Sequence, residues 1–159
     1  MRAQQARNTL VYIAGPYAAG TTQGIHDNVQ RAMKVARLVM LLAPSGRGIS
    51  HDLNVPHRGV GYVPVVPHAL GVCGLFGSGL DDGTPSQART VALLFGLRLL
   101  RACEAIVAID GASAGTCAEI ERAHSLKMQV VVRPFAWYEE RLIRLEYLLC
   151  ADEVERPAT

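Results

Sequence analysis

The stretch richest in usable chemistry is AIVAIDGASAGTCAEIERA, residues 105–123. A run of strand-type residues ends at Asp110, and a turn of small residues follows that carries Ser113 and Gly115. A helix is then predicted over 115–126, with Glu119 in its first turn. Such a turn aims backbone N–H groups and the Ser113 hydroxyl beyond the end of the strand, a place suited to an anion or to sugar hydroxyls. Spacing alone gives Glu119 a plainer task. Thr116-Cys117-Ala118-Glu119 fits a capping box, in which the glutamate hydrogen-bonds back to the helix start.

A second stretch, VYIAGPYAAGTT at residues 11–22, has the outline of a phosphate loop, with Gly15 and Gly20 five residues apart after a strand. A nucleoside triphosphate cradle needs a lysine after the second glycine, and Thr21 and Thr22 stand there. What remains is a strand carrying Tyr12 that ends on Gly15, Pro16 and Tyr17. Of the histidines, His51, His57 and His68 fall in predicted loops without metal-ligand spacing, so no metal site is expected. His68, after Pro67 near a strand end, is a candidate pocket residue, and His124 reads as structural.

The elements that must position these groups alternate in type. Strands are predicted at 10–14, 62–66, 105–109 and 128–133, and helices at about 26–42, 87–102, 115–126 and 137–150. On the first helix Val29, Ala32, Met33, Ala36, Val39, Met40 and Ala43 recur at steps of three and four, as one buried stripe. Pro44 ends it, residues 44–60 read as a loop insertion, and 67–86 read as a further loop. Pro64 suits a strand near a sheet edge. The alternation predicts an α/β fold in a single domain over 1–159, with a doubly wound, mostly parallel sheet of about five strands, flavodoxin- or Rossmann-like. Residues 1–8 and 153–159 read as tails. In such a sheet, ligands bind beyond the carboxyl ends of the strands.

Composition narrows the classes further. The chain has 159 residues, 50% hydrophobic and 19% charged, with a net charge of +2, so neither nucleic acid nor a membrane surface is favoured as partner. The longest greasy stretch, Val35 to Ala43, contains Arg37 and is too short to span a bilayer. Four cysteines without CxxC spacing read as reduced thiols, and a cytoplasmic location is expected.

Taken together, VYIAGPY, NVQRAMKVARLV, PVVPH and CEAIVAIDGASAGTCAEIERA occur in an order that resembles the nucleoside 2-deoxyribosyltransferase superfamily, including its nucleotide N-hydrolase branch. The resemblance covers most of the chain outside 44–60, and its last segment is the most specific. It implies an enzyme that cleaves or transfers at an N-glycosidic bond without a cofactor. Glu119 would be the nucleophile and Tyr12 the hydroxyl that positions it. Gly15, Pro16, Tyr17, His68, Asp110, Ser113 and Gly115 would line the substrate site. It also implies a small-molecule nucleoside or nucleotide as partner and a homo-oligomer, with Trp137 or Tyr138 near an interface or pocket rim.

Two positions depart from the family pattern. Where the family carries an aspartate that helps the departing base, Gly96 stands in LLFGLRLL, leaving Asp81 and Asp82 as possible substitute acids. Ala18 and Ala19 stand where the hydrolase branch has an arginine for a 5′-phosphate. A non-catalytic nucleotide-binding or sensor protein is therefore the alternative expectation.

Overall fold

The computed structural model describes residues 8–17, 19–42, 61–72, 87–110 and 113–154. In chain order its elements are β1 (Thr9–Ala14), α1 (Thr22–Leu41), β2 (Tyr62–Val65), α2 (Pro67–Val72), α3 (Gln87–Leu100), β3 (Ala105–Ile109), α4 (Ala114–Ser125), β4 (Gln129–Arg133) and α5 (Phe135–Val154). Among the described residues the sheet has four strands, not about five, in the order β2-β1-β3-β4, and every pairing is parallel. This is the flavodoxin-like order, whose direction of winding reverses between β1 and β3. The insertion at 44–60, Asp81, Asp82 and both tails beyond Asn8 and Val154 lie outside the described residues.

Strand parity divides the core into two layers. Val11 and Ile13 of β1, with Ala105, Val107 and Ile109 of β3, pack against Ala32, Val35, Ala36 and Val39 of α1 and Tyr138, Leu142 and Leu145 of α5. Tyr12 and Ala14, with Ile106 and Ala108, face the opposite layer and pack with Leu100, Cys103 and Ala123. Successive side chains of a strand point to opposite faces, so both faces of β1 and β3 are apolar because both are covered by helices. Burial at roughly 25 cal/mol per Å² of apolar surface makes these two layers the main source of stability. Pro64 lies on edge strand β2, where its missing N–H costs no ladder bond on the open side.

Several boundaries move. α1 starts at Thr22, four residues before the predicted start, because Thr21 caps it by accepting from the Gly24 N–H at 3.0 Å. Its buried stripe is Ile25, Val29, Ala32, Val35, Ala36, Leu38 and Val39, while Met33 and Met40 are 45% and 56% exposed. The predicted loop at 67–86 begins with the short helix α2, for which Pro67 supplies a preset φ at the first helical position. α5 begins at Phe135, two residues early. Tyr138 is buried against the sheet and donates to the Ala108 carbonyl at 2.9 Å, so it packs the last helix instead of facing an interface or rim. Trp137 is half-buried, with the Arg141 guanidinium 3.5 Å from its ring centre. No helix among the described residues is long and apolar enough to cross a membrane.

The end of α4 contains one backbone compromise. Lys127 has a φ of 56°, in the left-handed region, while the Met128 N–H bonds to Ala123 O and the Lys127 N–H to His124 O. This is the double hydrogen bond of a Schellman cap, whose left-handed position suits glycine. Lys127→Gly should therefore raise stability by about 0.5–1 kcal/mol, after allowing for the greater chain entropy of glycine. Chemical denaturation of the two proteins measures it, and an unchanged or lower midpoint would contradict the strain assigned here.

Candidate active site

Ser113, not Thr116, is the cap of α4. Its hydroxyl accepts from the Thr116 N–H at 3.2 Å and lies 3.0 Å from the Thr116 hydroxyl. The helix accordingly starts at Ala114, and Glu119 falls beyond the position from which a capping glutamate reaches back. The capping reading of Glu119 is thus corrected. Its carboxylate turns inward instead and accepts a 2.6 Å hydrogen bond from the Tyr12 hydroxyl across 107 residues of sequence. No other hydrogen bond or ion pair to Glu119 is found among the described residues.

Three elements meet at this pair. β1 sends Tyr12, fully buried, to the face shared with α3 and α4. α4 contributes Glu119, only 8% exposed. α3 contributes an absence. A Cβ on Gly96 would lie 2.8 Å from the Tyr12 hydroxyl and 3.3 Å from Glu119 Oε1. The first distance is closer than carbon and oxygen can approach without displacement, so α3 can pass this close only because residue 96 has no side chain. Gly96 lies against the Tyr12–Glu119 pair. Any side chain placed at 96 displaces Tyr12 before it can do anything else.

Burial sets the electrostatics. Desolvation lifts the Glu119 carboxyl to about 7, and the hydrogen bond from Tyr12 holds it back from rising further. The Tyr12 phenol is pushed far above its ordinary range by its own burial, then by the neighbouring carboxylate, so it remains a hydrogen-bond donor and not a proton source. Cys103 lies behind Tyr12, its thiol pushed up to about 11 by burial, and its Sγ is 3.5 Å from Leu99 O. It behaves as a small hydrophobe.

The other candidates collect at the carboxyl end of β1. His68, on α2, is buried, and its Nε2 lies 2.7 Å from the Gly15 carbonyl. Desolvation lowers its pKa despite that bond, so the ring is neutral, with Nε2–H donating to Gly15 and Nδ1 left as an acceptor. Nδ1 is buried without a partner among the described residues. The Tyr17 ring lies 5.8 Å from the His68 ring, tilted by 52°, and the Tyr17 carbonyl accepts from Asn28 at 3.3 Å. Pro16, between Gly15 and Tyr17 in sequence, is half-buried. Asp110 is exposed at the end of β3, its N–H donating to Arg133 O at 2.8 Å. Gly115 lies in the first turn of α4, where an added Cβ would make an ordinary 3.7 Å contact with Ser113. Among the described residues, no group of three or more His, Cys, Asp or Glu is placed to hold a metal ion.

Gly96→Ala should cost about 1–3 kcal/mol of stability, the usual cost of inserting a methyl group into a packed site. Gly96→Asp should cost at least as much, since it adds an unpaired carboxyl beside Glu119. Thermal and chemical unfolding measure both, and variants as stable as the parent would show that α3 passes further from the pair than these distances state.

Residues 57–133 match a family described as a domain of unknown function, DUF7768. The match takes in β2, α2, α3, β3, α4 and β4, and with them His68, Gly96 and Glu119, while β1 and its Tyr12 lie outside it. No curated protein matches the chain. Over those 77 residues, a little under half of the chain, its likeness is to a family without an assigned activity.

Proposed function

We propose that this protein cleaves or transfers at the N-glycosidic bond of a nucleoside or nucleotide, with Glu119 as nucleophile. The observation that carries the reading is the buried hydrogen bond between Tyr12 and Glu119, 2.6 Å long, on one face of a parallel sheet. The bond occupies Oε1 and leaves Oε2 to attack. Attack of Oε2 on the anomeric carbon forms a glycosyl ester as the C–N bond breaks and its electron pair leaves with the base. Water, or the ring nitrogen of an acceptor base, then displaces the ester and returns Glu119. Tyr12 supports both halves by fixing the carboxylate and by stabilising its charge when the ester is cleaved. His68 Nδ1 is an acceptor suited to a substrate hydroxyl or N–H. The Ser113 hydroxyl, already engaged in the cap, still has a lone pair for a sugar or phosphate group.

One observation favours a second reading. Gly96 occupies the place of a family acid, so a nucleotide-binding or sensor protein would carry the same pocket without turnover. Incubation with a panel of nucleosides and 5′-nucleotides, with and without an acceptor base, separates the two readings. Free base means hydrolysis and a new nucleoside means transfer. Binding with neither supports the sensor. The resemblance also brings a homo-oligomer into this reading. Val91, Leu94 and Phe95 leave an exposed apolar stripe on α3 that a second copy could cover, and a monomer by light scattering would remove that part.

The pH dependence follows from the carboxyl. Only ionised Glu119 attacks, so kcat/KM should rise with pH around a midpoint near 7. Tyr12→Phe removes the hydrogen bond that holds the carboxyl down and should move the midpoint upward by about 1–2 units, the equivalent of 1.5–3 kcal/mol for a bond to a charged group. A midpoint near 4.5 in both proteins would separate Glu119 from the rate.

Stability should respond in the opposite sense. The folded carboxyl holds its proton up to about 7 and the unfolded one only to 4.5, so its contribution is complete below 4.5 and is lost as pH rises to 7. At pH 8 the wild type carries the cost of a buried charge that Glu119→Gln does not. Between about pH 4.5 and 8 the variant should gain on the order of 3 kcal/mol relative to the wild type, at 1.36 kcal/mol per unit. Loss of turnover together with that relative gain is the expected result, and full activity in Glu119→Gln would remove the mechanism.

A further inference from the structure

We propose that the bond cleaved at this site joins the sugar to a positively charged ring nitrogen, so that the substrate is a cationic N-glycoside such as a pyridinium or N7-alkylated purine riboside. The inference rests on the N-glycosidic reading above and adds the charge of the leaving group. Two geometric observations carry it, and both concern what surrounds Glu119.

The first is the carboxylate without a cation. Buried charges are normally paired, yet Glu119 has Tyr12 as its hydrogen-bond donor and no Lys, Arg or charged His beside it among the described residues. The ion pairs Lys34–Glu139 and Arg37–Glu146 join α1 to α5 on the opposite face of the sheet, and His26–Asp27 lies on exposed α1 positions. A cationic ligand arriving beside Glu119 supplies the missing countercharge and draws the carboxyl toward its ionised, nucleophilic form. A neutral ligand supplies neither.

The second is the closed position at Gly96. With 2.8 Å between a would-be Cβ and the Tyr12 hydroxyl, position 96 of α3 presents no proton donor to the departing base, and none of the described residues around the pair has a free one. Tyr12 is held as a donor to Glu119, and neutral His68 has committed its N–H to Gly15. A neutral purine or pyrimidine leaves as an anion unless something protonates it. A cationic ring needs no proton. As Glu119 Oε2 bonds to the anomeric carbon, the electron pair of the C–N bond passes to the ring nitrogen and cancels its charge, so the base departs neutral. Water then attacks the anomeric carbon, the ester bond returns its pair to Glu119, and the proton of that water goes to solvent. The sum is cationic glycoside plus water giving free sugar, neutral base and one proton. The Tyr17 and His68 rings, at the end of the strand that carries Tyr12, offer the π faces that such a ring would meet.

The test compares compounds that differ in charge at matched size, using the whole protein. Wild type is assayed for base release from guanosine and 7-methylguanosine, and from uridine and nicotinamide riboside. The cationic member of each pair should show a kcat/KM higher by about 100-fold or more, the scale on which a positioned acid assists a neutral base. To separate recognition from intrinsic lability, 1-methylnicotinamide should bind the wild type about tenfold more tightly than nicotinamide by calorimetry, and Glu119→Gln, which needs no turnover for this measurement, should lose that preference. Equal kcat/KM for guanosine and 7-methylguanosine would overturn the charge assignment and leave the N-glycosidic reading standing. Release of base from none of the four would remove the N-glycosidic reading and the proposal with it. Equal affinity of the wild type for the two nicotinamides, a measurement that needs no variant, would show that the buried carboxylate does not recognise charge and would overturn the proposal.

Discussion

The hydrogen bond between Tyr12 and Glu119 is the constraint around which one layer of this protein is arranged. A carboxylate with 8% exposure is costly to bury, and a single bond of 2.6 Å offsets part of that cost. The bond requires an even position on β1, an inward-facing position on the second turn of α4 and a bare backbone on α3. None of the three can be changed alone. A side chain at 96 displaces the phenol, loss of the phenol leaves a buried carboxyl without its donor, and loss of the carboxyl leaves the phenol without an acceptor. Each remaining group would then sit unsatisfied in an apolar layer, where polar groups are expensive.

The surrounding structure tolerates this arrangement because stability comes from elsewhere. The opposite layer, where α1 and α5 cover Val11, Ile13, Val107 and Ile109, is apolar throughout and is tied at its rim by Lys34–Glu139 and Arg37–Glu146. Those surface pairs add little in water. The buried aliphatic groups do most of the stabilising, which leaves the second layer free to hold a group that reduces stability at neutral pH. His68 extends the same pattern. It is buried, neutral and half-satisfied, with Nε2 on Gly15 and Nδ1 without a partner. Glu119 and His68 thus place a buried carboxyl and a buried ring nitrogen in parts of the fold that carry little of its stability.

Winding order sets where the segments that follow β1 and β3 go. With β1 and β3 adjacent at the centre, their following segments diverge, one toward α1 and the other toward α4. In sheets wound this way, ligands characteristically bind beyond the carboxyl ends of the strands, where the Gly15-Pro16-Tyr17 segment follows β1 and the Ser113 cap follows β3. The depth of Tyr12 in β1 keeps the carboxyl it holds away from water.

Much of this was legible in the sequence. Alternating strands and helices determine the α/β class, because a strand apolar on both faces must be covered on both, and parallel connection then follows from the intervening helices. The 3.6-residue period located α1 but misplaced Met33 and Met40, since periodicity gives the direction of a face and not its width. Spacing also made Glu119 look like a cap, because local spacing sees only four residues, whereas its partner is 107 residues away. The resemblance named Tyr12, Glu119 and position 96 as one group, but not the reason for the glycine. Only the tertiary structure decided that. Whether a glycine marks a lost acid or a required void depends on the 2.8 Å between a missing Cβ and a phenol on another element, and that distance is set by how α3 packs on β1 and α4.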